Sequence, residues 1–270
     1  MLQRISKAVA FIHKTIGDFK PEVGIVLGSG LGDLVNIIES QYTIPYSEIP
    51  DFPISTVKGH GGNLIFGTIS GKKIVAMQGR FHYYEGYSMN EVTLPIRVMR
   101  ELGIKFLILS NASGAMNPDF NVGDIMLITD HINLMPNPLI GKNIDNMGPR
   151  FPEMSVAYDT TLLDTARKIA RENNIKVREG VYVGVTGPTY ETPSEYHFYR
   201  IIGGDCVGMS TVPEVIVARH MSLPVFAISV ITDLGEKELR CKVSHEEVLK
   251  AASIAEPKMT IIIKEMLKTL

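Results

Sequence analysis

The stretch MQGRFHYYEGY, residues 77–87, sets an arginine, a histidine and a tyrosine at alternate positions: Arg80, His82 and Tyr84. A guanidinium is charged at every working pH and offers a planar fork of donors that fits carboxylate or phosphate. An imidazole changes its protonation near neutrality. If the backbone is extended there, the two-residue period of a strand puts all three side chains on one side.

Other segments offer seats for an anion. LGSGLGD (27–33) runs from a strand into a glycine turn and a helix, so Ser29 and neighbouring backbone N–H groups can face a phosphate. NASGAMNP (111–118) places small residues after a strand that ends at Ser110, where a second backbone nest, at Ala112, can form. In GMSTVPEVIVARH (208–220), Thr211 and Glu214 read as a capping box with Pro213 in the first turn, which sets Met209 and Ser210 just before a helix N-terminus. Plain turns and an ordinary core methionine are the competing readings.

Two further residues lack a structural duty. In GPTYETPSE (187–195), Thr192, Pro193 and Glu195 make a capping box, which leaves Glu191 beside Tyr190 as a candidate hydrogen-bond acceptor or a solvated surface glutamate. In VSHEEVL, Ser244 and Glu247 make another box, and His245 stands at the first helical position, as a ligand contact or simply exposed.

Several function classes are excluded. The dinucleotide fingerprint fails because Asp33 takes the place of its third glycine, and the P-loop lysine is missing. No G-x-S-x-G elbow occurs, and the seven histidines lack metal-ligand spacing, so neither covalent nucleophilic catalysis nor a metal is expected. Two cysteines, Cys206 and Cys241, suit a chain kept reduced in the cytosol. A net charge of -2 gives no basic field for nucleic acid or an anionic membrane. The N-terminus interrupts its apolar residues with Arg4, Lys7, His13 and Lys14, as an amphipathic helix does and a signal peptide does not. A cytoplasmic protein is expected.

The elements that must position these residues follow from periodicity. Strands are expected at 22–28, at 63–69 and 72–79 as a hairpin about Ser70-Gly71, and at 105–110, 125–129, 179–186, 205–208 and 225–232. Helices are expected at 89–102, ending at Gly103, at 161–173, and from Pro193, Val212 and His245. Residues 136–158 carry Pro136, Pro138, Gly141, Gly148, Pro149 and Pro152, and form a long irregular connection of the kind that is functional or mobile. The alternation predicts one α/β domain over residues 1–270, with a central, largely parallel sheet flanked by helices.

Taken in order, GSGLG, KGHGG, MQGRFHYYEGY, NASGAMNP, GDIMLITDHINL, RFPEMSVAYD, VTGPTYETPSE, VGMSTVPEVIVARH and SHEEVL resemble the trimeric purine nucleoside phosphorylases. The resemblance implies that family's mixed, distorted barrel-like sheet. It also implies phosphorolysis of purine (deoxy)ribonucleosides to free base and (deoxy)ribose 1-phosphate, with phosphate as co-substrate and no cofactor or metal. On it, Ser29, Arg80, His82, Ser210 and the backbone at Ala112 match the phosphate site. Tyr84, Met209 and His245 match the sugar site, and Tyr190 and Glu191 the base site. Phe151 matches an aromatic that closes the neighbouring subunit's sugar pocket in a homotrimer. His82, Glu191 and Asp233 are the residues expected to assist the reaction.

Asp233, in SVITDLG, stands where phosphorylases specific for 6-oxopurines carry asparagine. An ionised aspartate only accepts, which suits N7–H or a 6-amino group; a protonated one donates to O6, and a pair with Glu191 favours holding one proton. Methylthioadenosine phosphorylases resemble this family and use aspartate there, but lack the glutamate. Inosine and guanosine are therefore the expected main substrates, with tolerance for adenosine; the alternative is a methylthioadenosine phosphorylase or a broad phosphorylase that accepts 6-aminopurines.

Overall fold

The computed structural model describes residues 1–28, 32–57, 60–235 and 245–270, the side chains of Asp33 and His245 excepted. Helix α1 (Leu2–Ile16) buries Ile5, Ala8, Ile12 and Ile16, one face at helical spacing. Strand β1 (Val23–Leu27) is buried along its whole length, as its unbroken apolar run requires. Strand β2 (Glu39–Pro45), absent from the sequence expectation, is a mostly exposed edge strand with no apolar alternation to betray it. Strands β3 (Asn63–Ile69) and β4 (Lys72–Gln78) form the expected hairpin, with Ser70 and Gly71 both at positive φ, 52° and 80°.

The expected helix at 89–102 is two: α2 (Met89–Val92) and α3 (Leu94–Glu101). Pro95 has no N–H to give the carbonyl of Glu91, so the ladder breaks there. Strand β5 (Phe106–Ala115) and strand β6 (Ile125–Asn133) run further than expected. Helix α4 (Thr160–Glu172), strand β7 (Val177–Gly184), helix α5 (Pro193–Ile201), strand β8 (Cys206–Gly208), helix α6 (Val212–His220), strand β9 (Val225–Leu234) and helix α7 (His245–Thr269) follow. Residues 134–159 have no regular element.

The sheet order is β2-β3-β4-β1-β5-β8-β7-β6-β9, and β9 returns to pair with β5. Strands β5, β8, β7, β6 and β9 thus close on themselves, and the other four extend the ring as an open wing. Pairings β1–β4, β1–β5, β5–β9, β6–β7 and β7–β8 are parallel; β2–β3, β3–β4, β5–β8 and β6–β9 are antiparallel. The sheet is mixed and barrel-like, with helices around it. Strand β5 holds it together, since its first half pairs with β1 and its last two residues with β8, while β9 lies along its other edge. Among the described residues no helix is long and apolar enough to cross a membrane.

Candidate functional site

A cavity opens where β5 leaves β1 and takes up β8. Its lining includes Asn111, Ala112, Ser113 and Gly114 from β5, Thr232 and Asp233 from β9, and Met209 and Ser210 from the turn before α6. Arg80, His82, Tyr84, Tyr190, Glu191 and Tyr196 complete most of the wall. The expected nest at Ala112 is strand, not turn: the small residues continue β5 and bare its backbone to the cavity.

At one end lies Arg80, only 1% exposed. Its Nε and Nη2 donate to the two carboxylate oxygens of Glu214 at 3.2 and 3.0 Å, and Nη1 donates to the carbonyl of Ser110 at 2.7 Å. Three of the five N–H donors are so engaged, leaving two for a ligand. The capping role expected of Glu214 is therefore wrong: Thr211 makes no side-chain cap, and the carboxylate turns inward to the guanidinium. Gly28 makes room for this group, because a Cβ there would stand 2.7 Å from the Ser110 oxygen and 2.9 Å from Arg80 Nη1.

The extended row expected from Arg80 to Tyr84 is also corrected. Gly79, at φ 97°, turns the chain out of β4, and Tyr83–Glu85 forms a single 3₁₀ turn. A reciprocal cap between His82 and Glu85 pins that turn. The three side chains still face one cavity. The rings of His82 and Tyr84 stack at 4.6 Å, and His60 lies against the other side of His82 at 5.5 Å.

Glu85 takes the backbone N–H and Nδ1 of His82 at 2.8 and 3.0 Å, and the N–H and hydroxyl of Thr56 at 2.7 and 2.6 Å. Burial is the largest single influence and opposes its ionisation, but these bonds together outweigh it and bring Glu85 down to about 2. With Glu85 ionised, Nδ1 of His82 carries a proton and Nε2 is left as the acceptor of a neutral ring. Burial lowers the protonation of His82, against the pull of Glu85, and brings His60 down to about 4 with the charges of His82 and Arg80 adding to it.

Ser210 reaches the same end through an unusual turn. Thr211 has φ 67° and ψ -53°, and Val212 N–H donates to Ser210 O at 2.7 Å, a three-residue γ-turn of the strained hand. For a β-branched residue this costs about 1–3 kcal/mol. The Thr211 hydroxyl accepts from Asn111 Nδ2 at 2.7 Å and lies 3.1 Å from Ser210 Oγ, which ties the turn to β5. Asn111 Oδ1 is buried without a partner.

Gly187 at φ 59° fixes a close approach to two of the lining residues: a Cβ there would stand 2.3 Å from Met209 Sδ and 3.2 Å from the Tyr84 ring. Burial raises the Tyr84 phenol to about 12, with the charge of Glu85 adding to it, so it is a neutral donor.

The far end is acidic. Asp233, 8% exposed, accepts from the Tyr196 hydroxyl at 3.0 Å and from Thr232 Oγ1 at 3.0 Å. Glu191 is raised above the usual carboxylate range, first by burial and also by the charge of Asp233. Thr192 and Glu195 make the expected capping box of α5, which leaves Glu191 free for the cavity.

Of the expected residues, Arg80, His82, Tyr84, Ala112, Tyr190, Glu191, Met209, Ser210 and Asp233 meet in this cavity. Ser29 and the side chain of His245 lie outside the described residues, although Val248, in the first turns of α7, lines the cavity. Phe151 is 86% exposed and belongs to a different surface depression, with Arg150, Pro152 and Met154. Glu85, Asn111 and Tyr196 carried no expected role from the sequence, and Glu214 only that of a cap. Among the described residues no cluster of His, Cys, Asp or Glu is placed to hold a metal.

The sequence profile of the phosphorylase superfamily matches residues 22–268. Purine nucleoside phosphorylase 1 of Bacillus subtilis is 52% identical over 251 residues, 93% of this chain and 92% of that protein. The purine nucleoside phosphorylase of Bos taurus is 50% identical over 248 residues, 89% of this chain and 86% of its own. The structure of Schistosoma mansoni purine nucleoside phosphorylase in complex with adenosine superposes with a TM-score of 0.94 at 44% identity, covering 100% of this chain and 98% of that one. Its complex with inosine gives 0.93 at 44% identity, covering 100% and 97%.

Proposed function

The chain belongs to the phosphorylase superfamily, and from that premise and the two-ended cavity we propose that it is a purine nucleoside phosphorylase, splitting inosine, guanosine and, less readily, adenosine. The observation that carries this is one cavity lined by Arg80 and Asp233 together with Tyr84 and Met209, with Arg80 held at Ser110 and Asp233 paired beside Gly114, four residues further along β5.

Phosphate takes the Arg80 end, held by the two remaining guanidinium N–H donors, Ser210, the Ala112 backbone and Ser29. Glu214 and Glu85 already answer the positive charge there, so the site suits a phosphate that keeps a proton and donates it to Nε2 of His82. The sugar lies against Tyr84 and Met209, with His245 at its 5′-hydroxyl. The base lies against Tyr190, between Glu191 and Asp233.

A phosphate oxygen forms the bond to C1′ as the bond from C1′ to N9 breaks, and the electron pair of that bond stays with the base. The transition state carries positive charge on the sugar, which phosphate beneath C1′ stabilises, and negative charge on the base, which hydrogen bonds at N7 and the six-position relieve. Phosphate is itself the nucleophile, so the reaction as proposed draws on no cofactor or metal.

The exposure of Phe151, away from its own chain's cavity, supports a homotrimer in which it closes a neighbour's sugar pocket. Cytoplasmic purine salvage is the setting we assign. The test is release of free base from inosine, guanosine, adenosine and methylthioadenosine, with and without phosphate. Inosine or guanosine is expected to be fastest, and only with phosphate. Asp233 gives the second reading its support: methylthioadenosine as the best substrate would make the chain a methylthioadenosine phosphorylase.

A further inference from the structure

Tyr196 has no part in the mechanism above, yet it sits among the groups that meet the base. It is 5% exposed, and two glycines clear its place. A Cβ at Gly235 would stand 2.3 Å from its ring, and one at Gly114 would stand 2.9 Å from its hydroxyl and 2.6 Å from Asp233 Oδ2. The hydroxyl is 3.0 Å from Asp233 Oδ2. It is also near enough to the Glu191 carboxyl for each group to alter the other's protonation. Glu191 lines the same cavity as Tyr196 and Asp233, so the phenol, with one hydrogen to give, shares that cavity with two carboxyl groups. Glu195 also acts on Glu191, and Glu247 on Tyr190, as more distant negative charges.

We propose that the Tyr196 hydroxyl relays a single proton between Glu191 and Asp233, so that one base pocket serves both 6-oxopurines and 6-aminopurines. This rests on the phosphorylase reading above. In one state Glu191 is protonated and donates to the phenol oxygen, whose own hydrogen points to ionised Asp233. Concerted transfer moves the Glu191 proton to the phenol oxygen and the phenol hydrogen to Asp233. The result is ionised Glu191, neutral Tyr196 now pointing at it, and protonated Asp233. No charge is gained or lost.

The two states match the two base classes. A 6-oxopurine presents N1–H as donor and O6 as acceptor, which ionised Glu191 and protonated Asp233, its hydrogen turned from the phenol to O6, meet. A 6-aminopurine presents N1 as acceptor and an amino donor, which protonated Glu191, its hydrogen turned from the phenol to N1, and ionised Asp233 meet. Without a relay, each change of base class would need a proton exchanged with solvent at Asp233, which is only 8% exposed.

Tyr196 thus acts as a positioning residue. Steady-state rates of Tyr196→Phe on inosine and adenosine test it, over a range of pH and with melting temperature as a control. A phenol hydrogen given to Asp233 across this contact stabilises the ionised aspartate, the state suited to adenosine, so kcat/KM for adenosine is expected to fall about tenfold relative to inosine, as loss of a charge-assisted hydrogen bond implies. The adenosine loss should deepen as pH rises, while KM for phosphate stays level. An unchanged ratio, or equal losses on both nucleosides, overturns the relay.

A second measurement uses the unaltered protein: calorimetry of hypoxanthine and adenine binding, each in the presence of phosphate, in buffers of different ionisation enthalpy. The relay requires the same net proton uptake for both. Uptake greater by about one proton for adenine overturns it. Failure to split inosine in phosphate would instead remove the phosphorylase reading itself.

Discussion

Glu214 grips Arg80 with both carboxylate oxygens, at 3.2 and 3.0 Å, in a place where neither side chain is more than 3% exposed. The pair makes a rigid plate from two residues 134 apart in sequence. Removing one partner leaves the other charge buried and uncompensated, which costs about 3–5 kcal/mol. Glu214→Ala is expected to lose stability on that scale in chemical denaturation. KM for phosphate should rise in the surviving folded protein, with Glu214→Gln between it and the parent.

Acid should unfold the protein in two overlapping steps. His60 is depressed from 6.5 to about 4 in the fold, so the unfolded chain binds its proton first, and stability falls as pH drops between those values. Glu85 is depressed from 4.5 to about 2, and its contribution, complete above 4.5, disappears as pH drops toward 2. In melting curves against pH, His60→Gln should flatten the upper step and Glu85→Gln the lower. A single step below 4 in the parent would contradict the assignment of His60.

Asp233→Asn should convert a group that can be ionised or protonated into one that always offers an N–H. The Tyr196 hydroxyl, now 3.0 Å from a carboxylate oxygen, would face an amide instead. The ratio of adenosine to inosine turnover is expected to fall by about tenfold or more, the scale of one charge-assisted hydrogen bond. An unchanged ratio in steady-state assays would remove Asp233 from base selection.

Phe151→Ala should fold normally, because an exposed ring gives up little packing. KM for nucleoside is expected to rise several-fold, and KM for phosphate to stay level. Mixing this variant with Arg80→Ala, which keeps Phe151, should restore sites of parental KM if subunits exchange. No recovery in mixed, re-associated preparations would argue against a shared pocket.

What the sequence disclosed was local. The Ser70-Gly71 hairpin and the Thr192–Glu195 cap are settled by neighbours within a few residues, and both stand in the structure. The same logic misassigned Glu214, whose spacing from Thr211 fits a capping box while its partner comes from a distant segment. Asn111–Ala115 lacks strand-like residues, and pairing with β9 and β8 makes it strand nonetheless. Tyr196 had no signal at all, since an aromatic on an amphipathic helix looks like core until its hydroxyl finds Asp233.

Strand β5 contributes Asn111, Ala112, Ser113 and Gly114 in succession to the cavity wall. At about 3.3 Å per residue, the backbone spans about 10 Å from the Thr211 contact of Asn111 to the Asp233 neighbour of Gly114. The strand is a graduated rule, and the interval between the two seats is marked on main chain that no side-chain substitution can stretch. On the assignment proposed above, base preference can drift by exchanges at the Asp233 end while the phosphate chemistry is inherited intact. One scaffold can diversify its diet without relearning its reaction.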